Sequence, residues 1–151
     1  MAGKPTSTAT YDDVNLLLRL YDLRREDRLR AARQWFVANF RASNLEEFSK
    51  LCPPGSEENT SFRMVISYWD MVASFITAGV LNAELFFESN RELLMVYLRS
   101  EPLLAPAREM FKDPLAWRNL ELVGIQYRQW LESRAPGSVD AFIARVVSPP
   151  R

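Results

Sequence analysis

The stretch FRMVISYWDMVASFITA, residues 62–78, decides how this chain folds. Phe62, Val65, Ile66, Trp69, Val72 and Ile76 recur at steps of three and four, which is one face of an α-helix. Met64, Tyr68, Met71 and Phe75 form a second apolar stripe, leaving Arg63, Ser67, Asp70, Ser74 and Thr77 as a polar strip. A helix apolar over about two thirds of its surface needs neighbours on both sides. Helix 62–78 is therefore expected at the centre of the fold and as its most buried element. Gly79 supplies a C-terminal stop and Asn82 a cap for the next helix.

Working outward, that next helix is expected over 82–99, with Ala83, Phe86, Phe87, Leu94, Tyr97 and Leu98 inward. Pro102 and Pro106 should flank a short helical piece, 103–112. Asp113-Pro114 then reads as cap and first position of helix 114–133, with the stripe Ala116, Leu120, Val123, Tyr127, Trp130, Leu131. Ala135-Pro136-Gly137 breaks it, and Ser138 caps a last helix through Val147. On the N-terminal side, Ser43 or Asn44 caps a short helix LEEFSKL, which stops at Cys52-Pro53-Pro54-Gly55. PPGSEENTS reads as the clearest loop. Its Asn59-Thr60-Ser61 triplet carries no weight without a secretory signal. Thr10, with Asp13 three residues on, caps a first helix, 11–23, whose stripe is Val14, Leu17, Leu18, Tyr21. A bend separates it from helix 26–41, which carries Ala31, Ala32, Trp35, Phe36 and Phe40; one long helix is the alternative. No segment alternates with the period of a strand. The fold class is all-α: a single irregular helical bundle over 10–147, about five main helices and two or three short ones. A disordered tail is expected over 1–9 and a frayed one over 148–151. Helix 62–78 should pack against helices 26–41, 82–99 and 114–133.

Composition narrows the chemistry. The chain has 151 residues, enough to bury a core without disulfides or metals. Nineteen basic residues balance nineteen acidic ones, so the positive excess that drives phosphate binding is missing and nucleic acid is not an expected partner. Cys52 is the only cysteine, so no intramolecular disulfide can form, which fits a cytoplasmic protein. The longest uncharged interior run, Met71–Ala83, is short of the ~20 residues a membrane span needs. Histidine is absent. That removes the usual general base, the Ser-His-Asp and Cys-His arrangements, and most zinc and di-iron sites. There is no glycine-rich phosphate loop.

Four candidates for chemistry remain. Glu84, Glu88 and Glu92 fall four apart on one helix face, as metal-binding carboxylates do in di-iron bundles. Those sites also need Glu-x-x-His pairs, so a solvated face is the favoured reading. Five arginines between 24 and 33 scatter around the helix, and Glu26–Arg30 can pair at i,i+4, which favours intramolecular pairing over a binding patch. Asp70, on the polar strip of the most apolar helix, is either a crevice acid or, as the favoured reading, a residue that caps, pairs with an Arg or faces solvent. Cys52 has no basic residue nearby in sequence to activate its thiol. No catalytic, cofactor-binding or metal-ligating residue is assigned, and no cofactor is expected.

Three stretches carry a resemblance: REDRLRAARQWF (25–36), RMVISYWDMVASFITAGVLNAELFFESNRELLMVYL (63–98) and PLAWRNLELVGIQYRQWL (114–131). Their order over 15–131 resembles a bacterial family of small all-helical domains of unknown function. The resemblance implies the fold but no activity, since that family has no established catalytic residues. Its members often carry a transmembrane helix ahead of the domain, whereas a short polar tail stands there in this sequence.

Three functional expectations follow, in order. The first is a non-enzymatic protein-interaction or homo-oligomerisation domain. The second is a sensory or ligand-binding bundle with an apolar pocket beside helix 62–78. The third, well behind, is a carboxylate- or metal-dependent enzyme.

Overall fold

A computed structural model describes residues 8–148, which form eight helices and no strand. Of the two expected tails, all but residues 8, 9 and 148 lie outside the described residues. The helices are α1 (Tyr11–Arg24), α2 (Asp27–Asn39), α3 (Leu45–Leu51), α4 (Glu57–Thr77), α5 (Ala83–Ser89), α6 (Arg91–Phe111), α7 (Arg118–Arg134) and α8 (Ser138–Val146). The first two are separate, with a turn at Arg25-Glu26. Glu26 caps α2 by accepting the Leu29 N–H at 3.1 Å, and the expected Glu26–Arg30 pair does not form.

α4 is the expected centre, packed against α2 and α7 with α6 behind it. It begins five residues earlier than the periodicity suggests, because Ser56 Oγ accepts the Asn59 N–H and starts a helix inside PPGSEENTS. Gly79 takes φ +77° to end the helix, and Asn82 Oδ1 caps α5 through the Leu85 N–H.

The most buried element is α6, not α4: Leu93 through Ser100 are buried without interruption. Met71 on the second stripe of α4 faces solvent, while α6 is enclosed by α3, α4, α7 and α8. The expected helix 82–99 is broken at Asn90, whose Nδ2 donates to Phe86 O at 3.0 Å. The expected break at Pro102 and Pro106 is missing, and α6 runs through both prolines. Each proline forfeits one ladder bond and crowds a carbonyl, which costs about 3 kcal/mol in a helix interior. The prolines are four apart on the less buried face, opposite the buried Leu103, Leu104 and Ala107. Burial of three such side chains at about 1.5–3 kcal/mol for each larger one offsets much of that cost.

α7 starts at Arg118 instead of 114. Asp113 Oδ1 takes the Leu115 N–H in a turn, and Trp117 sits in the left-handed region with φ 55°. With no cap from its own flank, α7 takes one from α4: Asp70 Oδ1 accepts the Leu120 N–H at 2.9 Å. Ser138 does not cap α8; Gly137, at φ +86°, occupies that position, and Glu132 accepts the Gly137 N–H at 2.8 Å.

α1 presents a face other than the expected one. Leu20 and Asp13 are buried and Leu16 and Leu17 partly so, whereas Val14, Leu18 and Tyr21 point to solvent. Asp13 ties α1 to the start of α5, with Oδ2 taking the Thr10 N–H and Oδ1 the Asn82 N–H, both at 2.8 Å.

Arg99 closes the other end. Only 5% exposed, it donates from Nε to Val146 O at 2.6 Å and from Nη1 to Phe36 O and Val37 O at 2.8 and 3.0 Å. One guanidinium thus reaches last-turn carbonyls of both α2 and α8, although Phe36 O also accepts the Phe40 N–H at 3.0 Å. Burial, and after it the charge of Arg41, push its pKa down to about 10, so it stays protonated at neutral pH.

Candidate functional site

The carboxylate column does not exist as a unit. Glu84 and Glu88 lie on α5, and the break at Asn90 puts Glu92 on α6. Glu92 is held by Arg33 in a two-pronged ion pair, Nε–Oε1 2.9 Å and Nη2–Oε2 2.7 Å, with Trp69 Nε1 3.4 Å from Oε1. The guanidinium's pKa is raised chiefly by that hydrogen bond. Glu88 pairs with Arg134 at the surface, and Glu84 is exposed. Among the described residues, no three His, Cys, Asp or Glu side chains are grouped to hold a metal ion.

The arginines between 24 and 33 are likewise dispersed. Arg33 also donates to Arg24 O at 3.0 Å, and Arg24 reaches Asn90 Oδ1 at 3.1 Å and lies over the Tyr21 and Trp69 rings. These contacts join α1 and α2 to α4 and α6. Asp70 is spent on capping α7. Cys52 is fully buried, and burial with a smaller push from Glu58 raises its thiol to about 11, so almost no thiolate forms at neutral pH.

A groove of about 800 Å³ lies beside the first half of α4. α3, only seven residues long, and the Cys52–Pro54 turn form one wall. The second half of α6 and Trp117 form the opposite one. Phe62, Ile66, Leu103 and Ala107 make an apolar floor. Phe62 meets Phe48 edge-on at 4.8 Å and Trp117 edge-on at 6.1 Å, so the aromatic rings are fixed against one another. The αL residue Lys112 reverses the chain after α6 and leaves Met110 and Phe111 more than half exposed at the rim, with Leu115 exposed in the turn that follows. The volume and lining match pockets that take drug-sized molecules. Among the described lining residues Arg63 is the one charged side chain, and the Cys52 thiol is unactivated.

None of the sequence's candidate acids lines this groove. What marks it in the sequence is weaker: Met64 on the second stripe of α4, and exposed apolar residues from Met110 to Leu115 that no periodicity accounts for.

Fold and site together define an all-helical bundle with an apolar groove. The chain belongs to the family described as "Domain of unknown function (DUF4760)", whose model matches residues 9–126. α1 to α6 fall within that match, whereas the end of α7 and all of α8 lie beyond it. No curated protein and no solved structure matches the chain. No helix among the described residues is long and apolar enough to cross a membrane.

Proposed function

We propose that this domain is a non-enzymatic binding module that holds an apolar guest in the groove between α3, α4 and α6. The observation that carries the reading is the groove itself: about 800 Å³, walled by Phe48, Phe62, Met64, Met110, Phe111 and Trp117. Apolar surface left uncovered in such a groove carries a cost, and a guest recovers it at about 0.8 kcal/mol per buried methylene. The test is calorimetric titration with a series of 1-alkanols of increasing length. Affinity should tighten about fourfold per added methylene until the groove is filled. Ser67→Trp, placing a bulky ring at an exposed position of the lining, should abolish binding without unfolding the protein. No binding by any alkanol, or equal binding by Ser67→Trp, overturns the reading.

A second reading, self-association, is favoured by one specific observation. Tyr11, Val14, Leu18 and Tyr21 form an outward stripe on α1 at steps of three, four and three, with Tyr11 77% and Leu18 59% exposed. This is the spacing of a two-helix seam. An antiparallel pairing of two α1 helices about a two-fold axis sets Asp12 at one end near Arg24 and Arg25 of the second copy, so the surface is self-complementary in charge. Light scattering over a range of concentrations checks it: mass should rise toward that of two chains, and Leu18→Glu should hold the protein at one. A single-chain mass throughout removes this reading.

A further inference from the structure

The lining of the groove is lopsided. Along α4, Asn59, Arg63 and Ser67 follow one another at i, i+4 and i+8, with Thr60 beside them, so this wall is polar, while the rest is mostly hydrocarbon with Ser49, Cys52 and the Trp117 ring as its polar exceptions. The hydrogen-bond donors on that wall are committed, with one exception. Asn59 Nδ2 donates to Cys52 O at 3.1 Å, Thr60 Oγ1 to Ser56 O at 3.2 Å, and Ser67 Oγ to Arg63 O at 2.5 Å. The Arg63 guanidinium has no hydrogen bond or ion pair among the described residues. Among the described residues it is also the only charge in the lining, which contains no carboxylate from them. Arg33, Arg99 and Arg108 are each engaged by a carboxylate or by backbone carbonyls, whereas half-buried Arg41, which does not line the groove, leaves its Nε without a partner among the described residues.

From this we infer that the guest is a single-chain amphiphile with an anionic head, its hydrocarbon tail lying between Phe62 and Met110 and its carboxylate-like head held by Arg63 at the polar wall. The inference rests on the groove reading above and adds the charge and shape of the ligand. A planar fork of N–H donors suits a carboxylate, and the mostly apolar remainder holds no second charge for a polar group further along the chain. An amphipathic peptide helix fits less well, because its polar face would meet the exposed Met110 and Phe111 rim.

The experiment compares dodecanoate, 1-dodecanol and dodecyltrimethylammonium, each below its micelle-forming concentration, on the full chain and on Arg63→Gln and Arg63→Glu. Arg63 is exposed, so both variants should fold, which circular dichroism checks directly. Dodecanoate should bind wild type, and Arg63→Gln should weaken it about two- to fivefold while leaving dodecanol unchanged. Arg63→Glu should reverse the preference toward the cationic amphiphile. Dodecanol binding with no Arg63-dependent preference for dodecanoate overturns this inference and leaves the groove reading standing. Failure of all three to bind wild type overturns both. Binding to anionic phospholipid vesicles that is lost in Arg63→Gln, with no binding of monomeric dodecanoate, overturns it in favour of a bilayer surface.

Discussion

Gly124 sits in the interior of α7, where a glycine costs roughly 0.8–1 kcal/mol relative to alanine. On propensity alone, Gly124→Ala should stabilise the protein. Its surroundings reverse the sign. A Cβ built at 124 would lie 2.3 Å from Tyr97 Cγ, 2.4 Å from Cδ1 and 2.8 Å from Cβ. The ring cannot simply rotate away, because the Tyr97 Cβ is itself too close and the residue is buried in the uninterrupted run of α6. The two helices must separate, an overpacking strain at the upper end of the usual ~1–3 kcal/mol. Subtracting the gain in propensity leaves a net destabilisation of about 2 kcal/mol. With a urea dependence of about 2 kcal/mol per molar, the unfolding midpoint should fall by about 1 M, read by circular dichroism at 222 nm. The strain is specific to one pair, so in a double-mutant cycle with Tyr97→Ala the two substitutions should couple by more than ~1 kcal/mol. A Gly124→Ala protein as stable as wild type, or more so, or a cycle without coupling, would refute the reasoning.

Other expectations follow from the same contacts. Arg99→Ala removes three well-formed hydrogen bonds to carbonyls of α2 and α8 and should cost about 3 kcal/mol in urea unfolding. Arg99→Lys should recover part of that, and amide exchange in α8 should speed up in both. Asp70→Ala strips α7 of its carboxylate cap and should cost about 1 kcal/mol, with faster exchange at the Leu120 amide. Asp13 is held below its ordinary value of 3.8, first by the Thr10 N–H and then by that of Asn82. A lowered carboxylate pKa adds stability that is fully present above the unfolded value and is lost as pH falls through the folded one. The stability gap between wild type and Asp13→Asn should therefore be constant from about pH 7 to 5 and shrink below about pH 4. A gap unchanged at low pH would remove Asp13 from the account.

The all-α class, the place of α4 and the stops at Gly79 and Asn82 were legible because they depend on local signals: apolar period, caps and chain-reversing glycine. Where reading failed, a distant partner had decided the outcome. Pro102 and Pro106 do not end α6, since Leu103, Leu104 and Ala107 between and beyond them are buried by other helices. Glu84, Glu88 and Glu92 read as one column only if Asn90 is helical, and its side chain turns back onto Phe86 O instead. Asp70 was recognisable as a polar residue on an apolar helix, but its use as the cap of α7 spans fifty positions of sequence. Gly124 gave a local signal, a glycine inside a strong helix, whose meaning is the Tyr97 ring across the interface. The alternative of a pocket beside helix 62–78 was legible in outline from its Met- and Phe-rich faces. Its other wall, from Leu103 to Trp117, was hidden by the expected break at Pro102.

The claim that an apolar guest occupies this groove is tested most directly by methyl NMR on protein labelled at methionine. Met64 and Met110 line the groove, Met95 is buried in the core, and Met71 faces solvent elsewhere on α4. On titration with a medium-chain alkanol, the Met64 and Met110 methyl signals should shift together and show contacts to the guest's methylene protons, while Met71 and Met95 stay in place. Shifts confined to Met71 or spread equally over all four, or no shift at saturating alkanol, would contradict the account.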